Sequence, residues 1–166
     1  MELSKIRPET FVIKMARPNV GLAELLGKVR ATNSNASFSQ FFDSRSIMSR
    51  AHLVGAYANA VLAFDGRTNR TDSMAMEMLL FAAMTDQIGK ALSIVGAKDR
   101  SSLIVFCSDR AAYDRVRGLV GGISDFRPMA SHARGAALRL GLKTQRGMDS
   151  DALILEGMAV SRLGSD

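Results

Sequence analysis

Residues 103–106 read Leu-Ile-Val-Phe, an unbroken apolar run set between serines on one side and Ser108-Asp109 on the other. A run this short, β-branched and aromatic with no polar alternation, predicts a central strand covered on both faces. The rest of the chain is read outward from it. Thr10–Ala16 (TFVIKMA) sets Phe11, Ile13 and Met15 against Val12 and Lys14 and predicts another strand. Arg17-Pro18-Asn19 stops it, because proline lacks the amide donor a ladder needs. Phe38, Gln40 and Phe42 alternate in a further strand that ends at Asp43.

Helices fill the intervals. Leu22, Leu25, Leu26 and Val29 recur at helical spacing, and Thr32-Asn33-Ser34-Asn35 follows as a polar loop. Ser49 is placed to N-cap a helix with Leu53, Val54, Tyr57, Val61 and Phe64 on its apolar face, ended by Asp65-Gly66. Arg67-Thr68-Asn69-Arg70 is a basic turn, and Thr71, Asp72 or Ser73 caps the next helix, which runs to about Met84. A further helix spans about Asp86 to Val95, with Gly96 as its C-terminal glycine. Beyond the central strand, Asp109–Val120 reads as a helix broken by Gly121-Gly122, Arg127-Pro128 as a turn and Ser131–Leu140 as a helix. Asp149 or Ser150 caps a last helix with Ala152, Leu155, Ala159 and Leu163 on one face. Strands alternating with helices predict an α/β fold bordering on α+β: a single domain over residues 1–166, with a small central β-sheet and helices packed around it.

Composition narrows the class. With 166 residues, 47% hydrophobic and 23% charged, the chain has the proportions of a globular protein large enough to need no staple. One cysteine permits no internal disulfide, and MELSKIRPETF has neither a signal core nor the acid-poor character of a transit peptide, so a cytoplasmic location is expected. The longest nearly apolar stretch, Met74–Met84, is too short to cross a bilayer, which takes about 20 residues. The net charge is +6, and between Arg110 and Arg146 eight basic residues meet two acidic ones, so that segment holds the whole surplus. Arginine outnumbers lysine 16 to 6, and its planar fork suits phosphate, which raises the possibility of a general basic RNA- or DNA-binding module.

Material for catalysis is scarce. The two histidines, His52 and His132, stand 80 positions apart, without HExxH or a Cys/His pair at metal spacing. There is no GxSxG elbow, Walker loop or GxGxxG, and GLVGG at 118–122 follows a predicted helix rather than a strand. Cys107 ends a buried strand as a small hydrophobe, and His52 in the first turn of its helix serves packing or capping. A small enzyme working through His52 or Cys107 is the alternative to a non-catalytic protein without metal or cofactor. Glu77 is the one charge in MAMEMLLFAAM. An unpaired buried carboxylate costs several kcal/mol, so Glu77 either lies on a wet edge or is paired inside. Arg70, Ser73 and Lys90 are its nearest partners in sequence.

The stretch His52–Lys98 resembles the TPRKB family, the small kinase-binding "CGI" subunits of the KEOPS (EKC) complex. The likeness rests on His52-Leu53 opening a helix with a small-residue face at Ala56 and Ala60, then on Glu77 followed by Leu79-Leu80. It is completed by the pattern Gln87-Ile88, Ala91 and Gly96. The strand Phe38–Asp43 and the last helix, with Leu155, Glu156, Met158 and Ala159, are similar as well. The chain departs from the family in carrying Asp86 where members commonly have arginine, and Gly89 within the helix.

The resemblance implies a non-catalytic subunit of the complex that makes threonylcarbamoyladenosine (t6A) in tRNA. Such a subunit binds and stimulates a PRPK-like atypical kinase/ATPase and recruits tRNA by its single-stranded 3′ CCA tail. With aromatics at only 6% and no Trp, bases would rest on aliphatic surface with cations along the backbone. In the region the resemblance marks, the RNA-binding candidates are Arg67, Arg70, Lys90 and Lys98 for phosphate, and Ile88 and Leu92 beside bases. Leu153, Ile154 and Met158 lie off the stripe of the last helix and are the candidates for docking the kinase. Glu77 is a structural or functional acid.

Overall fold

The computed structural model describes residues 12–98, 103–144 and 149–163, with residues 162 and 163 described for their backbone only. Four strands form one antiparallel sheet in the order β2-β3-β1-β4: β1 (Val12–Pro18), β2 (Ser39–Asp43), β3 (Leu103–Cys107) and β4 (Val120–Asp125). The expected small α/β fold is present, and the antiparallel pairing puts it on the α+β side. Thr10 and Phe11, at the start of the predicted first strand, lie outside the described residues.

β3 is the covered strand that its sequence predicts, with all five residues buried. Its side chains alternate between two cores. Ile104 and Phe106 meet Ile13 and Phe42 on one face, under α2 (Arg50–Asp65) and α3 (Met74–Ala83). Leu103, Val105 and Cys107 meet Ala16 and Phe41 on the other, under α1 (Leu22–Thr32) and α5 (Arg110–Val116). An apolar run with no alternation thus arises in an antiparallel sheet because helices cover both sides. α4 (Ile88–Val95), α6 (Ala130–Arg139) and α7 (Ser150–Leu163) all join the larger core, through Ala91, Ala136 and Ile154.

One glycine reading needs correction. Gly121-Gly122, read as a break, lies inside an edge strand. Met15 pairs with Ser124 and Arg17 with Gly121, which leaves Gly122 and Ile123 together opposite Ala16. This is a β-bulge, and Gly122 takes the positive φ (+57°) that it requires. The helix before it is correspondingly shorter, closing at Val116 and followed by a 3-10 turn over Arg117–Leu119. Gly96 closes α4 as expected, in an extended conformation (φ −63°, ψ 150°), and bridges to Phe42 on the edge of β2. A left-handed helix cap occurs at Met84, after α3.

Candidate functional site

A groove of about 680 Å³ opens where α1, the free side of β2, the start of α3 and α4 meet. Leu26, Val29, Phe41 and Met76 supply apolar wall, Arg30 stands among them, and α4 contributes Ile88 and Leu92. These two are 44% and 46% exposed, large aliphatics left in solvent beside an apolar recess. α1 explains part of this: Leu25 and Val29 enter the core, while Leu22 and Leu26 are only half-buried. The predicted apolar face of α1 is wider than the core it covers.

Two asparagines of the predicted polar loop build the groove's frame. The Asn33 side chain donates to Ser39 O (2.8 Å) and accepts from Ser39 N (2.9 Å), standing in for a neighbouring strand at the start of β2. Asn35 accepts from Met74 N (2.8 Å) and donates to Asp72 O (2.9 Å), tying the loop to the start of α3. Ser73 is the cap of that helix, its hydroxyl accepting from Met76 N.

Glu77 is fully buried and hydrogen-bonded inside. Its Oε2 accepts from the backbone amides of Arg70 and Thr71, both at 3.0 Å, and from the Thr71 hydroxyl at 3.2 Å. Neither the Arg70 guanidinium nor Lys90 pairs with it among the described residues; its partners are main-chain donors of the 70–71 turn. Glu77 therefore shapes the turn whose next residues, Thr71 to Ser73, line the groove. Its Oε1 has no hydrogen-bond partner among the described residues.

The phosphate candidates are scattered. Arg67 is exposed in the α2–α3 turn with a left-handed backbone (φ 56°), Lys90 is exposed on α4, and Arg70 lines a separate recess with Phe81 and Thr85. Lys98 is exposed near Asp43, whose carboxyl is held below the usual range, against the cost of its burial, by hydrogen bonds from Arg45 and by the charges of Arg45 and Lys98. The structure brings Ile88 and Leu92 into one groove but none of the four cations into its lining; Arg30, which the sequence reading missed, stands there instead.

The last helix is turned the other way from its expectation. Ile154 and Met158 are fully buried against the main core and Leu153 is partly buried against it. Ala152, Leu155 and Ala159 face outward, and Val160 is 63% exposed. Both stripes are apolar; Gly55 of α2, where a Cβ would lie 2.5 Å from Leu155 Cδ2 and 3.4 Å from Met158 Sδ, lets α7 approach closely, burying Ile154 and Met158 while Leu155 rests its tip on α2 and stays 44% exposed. Ile154 and Met158 are thus core residues and offer no surface to a partner. The Leu163 side chain lies outside the described residues.

The residues weighed for catalysis are structural. His52 is fully buried, accepts from Met48 N at Nδ1 (3.1 Å) and donates from Nε2 to Ala82 O (2.9 Å), which requires the neutral ring. Burial pushes its pKa down to about 4. The Cys107 thiol is buried in the sheet and desolvation pushes it up to about 12, far from a reactive thiolate. No group of three metal-ligating side chains occurs among the described residues. The basic segment is divided between α5 on one face of the sheet and α6 on the other, and much of it is engaged locally. Arg110 and Arg117 pair with Asp114, Arg127 with Asp125, and Arg115 donates to Ser37. Arg146 lies outside the described residues.

A family model described as kinase binding protein CGI-121 matches residues 19–131, more than half of the chain. The chain belongs to the CGI-121 family. This is the family of the TPRKB/KEOPS subunit, so the resemblance drawn from His52–Lys98 holds, and with it a kinase-binding family role. The matched span takes in α1, β2, α3 and α4, hence the whole groove, and ends before α7. No curated protein matches the chain.

Proposed function

We propose that this CGI-121 family member is a non-catalytic, cytoplasmic subunit of a KEOPS-type complex for tRNA threonylcarbamoyladenosine. It docks and stimulates a PRPK-like kinase/ATPase and holds the 3′ CCA end of tRNA in the groove beside α4. The observation that carries the RNA part is the pairing of exposed Ile88 and Leu92 with a groove lined by Arg30, inside the family-matched span. Unpaired bases stack on flat apolar surface while cations follow the backbone, and aliphatic walls serve where aromatic rings are few. Arg67, Arg70, Lys90 and Lys98 then act around the groove's surroundings on phosphate, with Glu77 fixing the turn that carries Arg70. For the kinase, the outward face of α7, Leu155 and Val160, replaces the buried Ile154 and Met158 as the docking surface; the kinase-binding character of the family supports a protein partner for it. The division of the basic segment over two faces favours this reading over a general basic module.

The test is filter binding or fluorescence anisotropy with full-length tRNA and with tRNA trimmed of CCA. Trimming and Leu92→Asp should each reduce affinity at least about tenfold, the loss expected of one stacked base. With about three phosphate contacts, the slope of log K against log salt should be near about −2. Equal affinity for the trimmed tRNA would refute the groove as the tail site.

A further inference from the structure

We propose that a second, basic cleft of about 570 Å³, formed by Lys14 of β1, Arg50 of α2, Arg110 of α5, Arg117 of the 3-10 turn that follows it and Asp125 of β4, binds a compact polyphosphate, inorganic or nucleoside-borne. The inference does not rest on the RNA reading, since none of these residues lines the groove beside α4. Four cations, from β1, from α2 and from the contiguous α5 and 3-10 turn, converge on one concavity, against a single lining carboxylate. Their arrangement is built. Asp114 sits between Arg110 (3.3 Å) and Arg117 (3.6 Å) and holds both guanidiniums on one side. Arg110 is further fixed over the Tyr113 ring, 5.2 Å from its centroid. Across the cleft, Arg50 reaches the Ile13 carbonyl at 3.4 Å and has no carboxylate partner among the described residues. Lys14 is held by Asp125 at 2.6 Å.

The volume falls within the range of small-molecule sites, about 300–1,000 Å³. Four cations against two carboxylates, Asp125 in the lining and Asp114 beside it, leave the cleft net positive, which matches adjoining phosphoryl groups, whose oxygens take the paired N–H donors of arginine. An RNA backbone spreads one charge per nucleotide along its length and suits a stripe of cations rather than a closed cluster.

The experiment is isothermal titration of the full-length chain with tripolyphosphate and, separately, with ATP, at low and moderate salt. Binding of both, weakened by salt, is expected. ATP binding no tighter than tripolyphosphate assigns the site to phosphate alone; tighter ATP binding adds a nucleoside contact, and either supports the proposal. Arg110→Ala and Arg117→Ala should each weaken binding at least about tenfold, the loss of a charge-assisted hydrogen bond. Arg134→Ala, which removes the same charge from the exposed side of α6, should leave it unchanged. Asp125→Asn should tighten binding several-fold by freeing Lys14, a gain that a merely damaged fold does not produce. No binding by the unmodified chain, equal loss with Arg134→Ala, or displacement of tripolyphosphate by a CCA-ended oligonucleotide at equal phosphate would overturn it.

Discussion

Acidification from pH 7 to 4.5 should destabilise this protein mainly through one side chain, His52. The imidazole is completely enclosed between the Ser46–Met48 segment and α3, with both nitrogens satisfied only when the ring is neutral. Burial lowers its pKa from the usual 6.5 to about 4, against smaller opposing effects of the Ala82 carbonyl and the Asp151 charge. Because the folded pKa is the depressed one, the unfolded chain binds the extra proton between these two values. The stabilisation is therefore complete above about pH 6.5 and is lost as the pH falls toward 4. The shift corresponds to about 3 kcal/mol in full, of which about 2–3 kcal/mol should disappear between pH 7 and 4.5. Asp43 and Asp109, whose pKa values are lowered below 3.8 in the fold, lose their contributions only at still lower pH, leaving this window to the histidine. Urea unfolding at a series of pH values, with His52→Gln beside the unmodified chain, measures the effect. The variant should be less stable at pH 7, having lost the acceptor for Met48 N, but its stability should fall much less on acidification. Parallel pH profiles, or a His52 ring that titrates near 6.5 by NMR in the folded protein, would refute the reasoning.

Other outcomes follow from the same geometry. Glu77→Ala strips the acceptor from two backbone amides and should cost about 2–4 kcal/mol in urea unfolding, with Glu77→Gln costing less. Hydrogen exchange should show the Arg70 and Thr71 amides losing protection ahead of the core, and protection unchanged at both would remove the turn-holding role. On α7, Val160→Arg should abolish capture of the PRPK-like kinase in a pull-down at unchanged melting temperature, and Leu155→Arg should do so with some loss of stability, since the Leu155 tip rests on Gly55. Ile154→Arg should instead fail at the level of folding, since it buries a charge without a partner; soluble, stable Ile154→Arg would contradict the burial on which the assignment of faces depends.

Glu77 shows where sequence reasoning stops. Its oddity is plain in MAMEMLLFAAM, yet the partners that solve it are main-chain amides, which no residue type announces. α7 fails for a different reason. Its two apolar stripes have nearly equal claims to the core, and the choice is made by how α7 seats on α2, α3 and α6, all distant in sequence. The strand over 120–125 was hidden because glycines that break a helix also permit a bulged edge strand, and only pairing with β1 distinguishes the two.

What local chemistry determines was legible. The unbroken Leu103–Phe106 run set the covered strand, Ser49 and the cap candidates at 71–73 set the helix starts, Cys107 and His52 were core or capping groups, and the His52–Lys98 pattern marked the family. Tertiary structure alone decided which apolar faces stay open, that Arg30 rather than Lys90 stands in the groove, and that Lys14, Arg50, Arg110 and Arg117 share a cleft. The reason is physical: caps and periodicities act over a few residues of one element, whereas exposure and charge clustering depend on which element arrives to cover a surface.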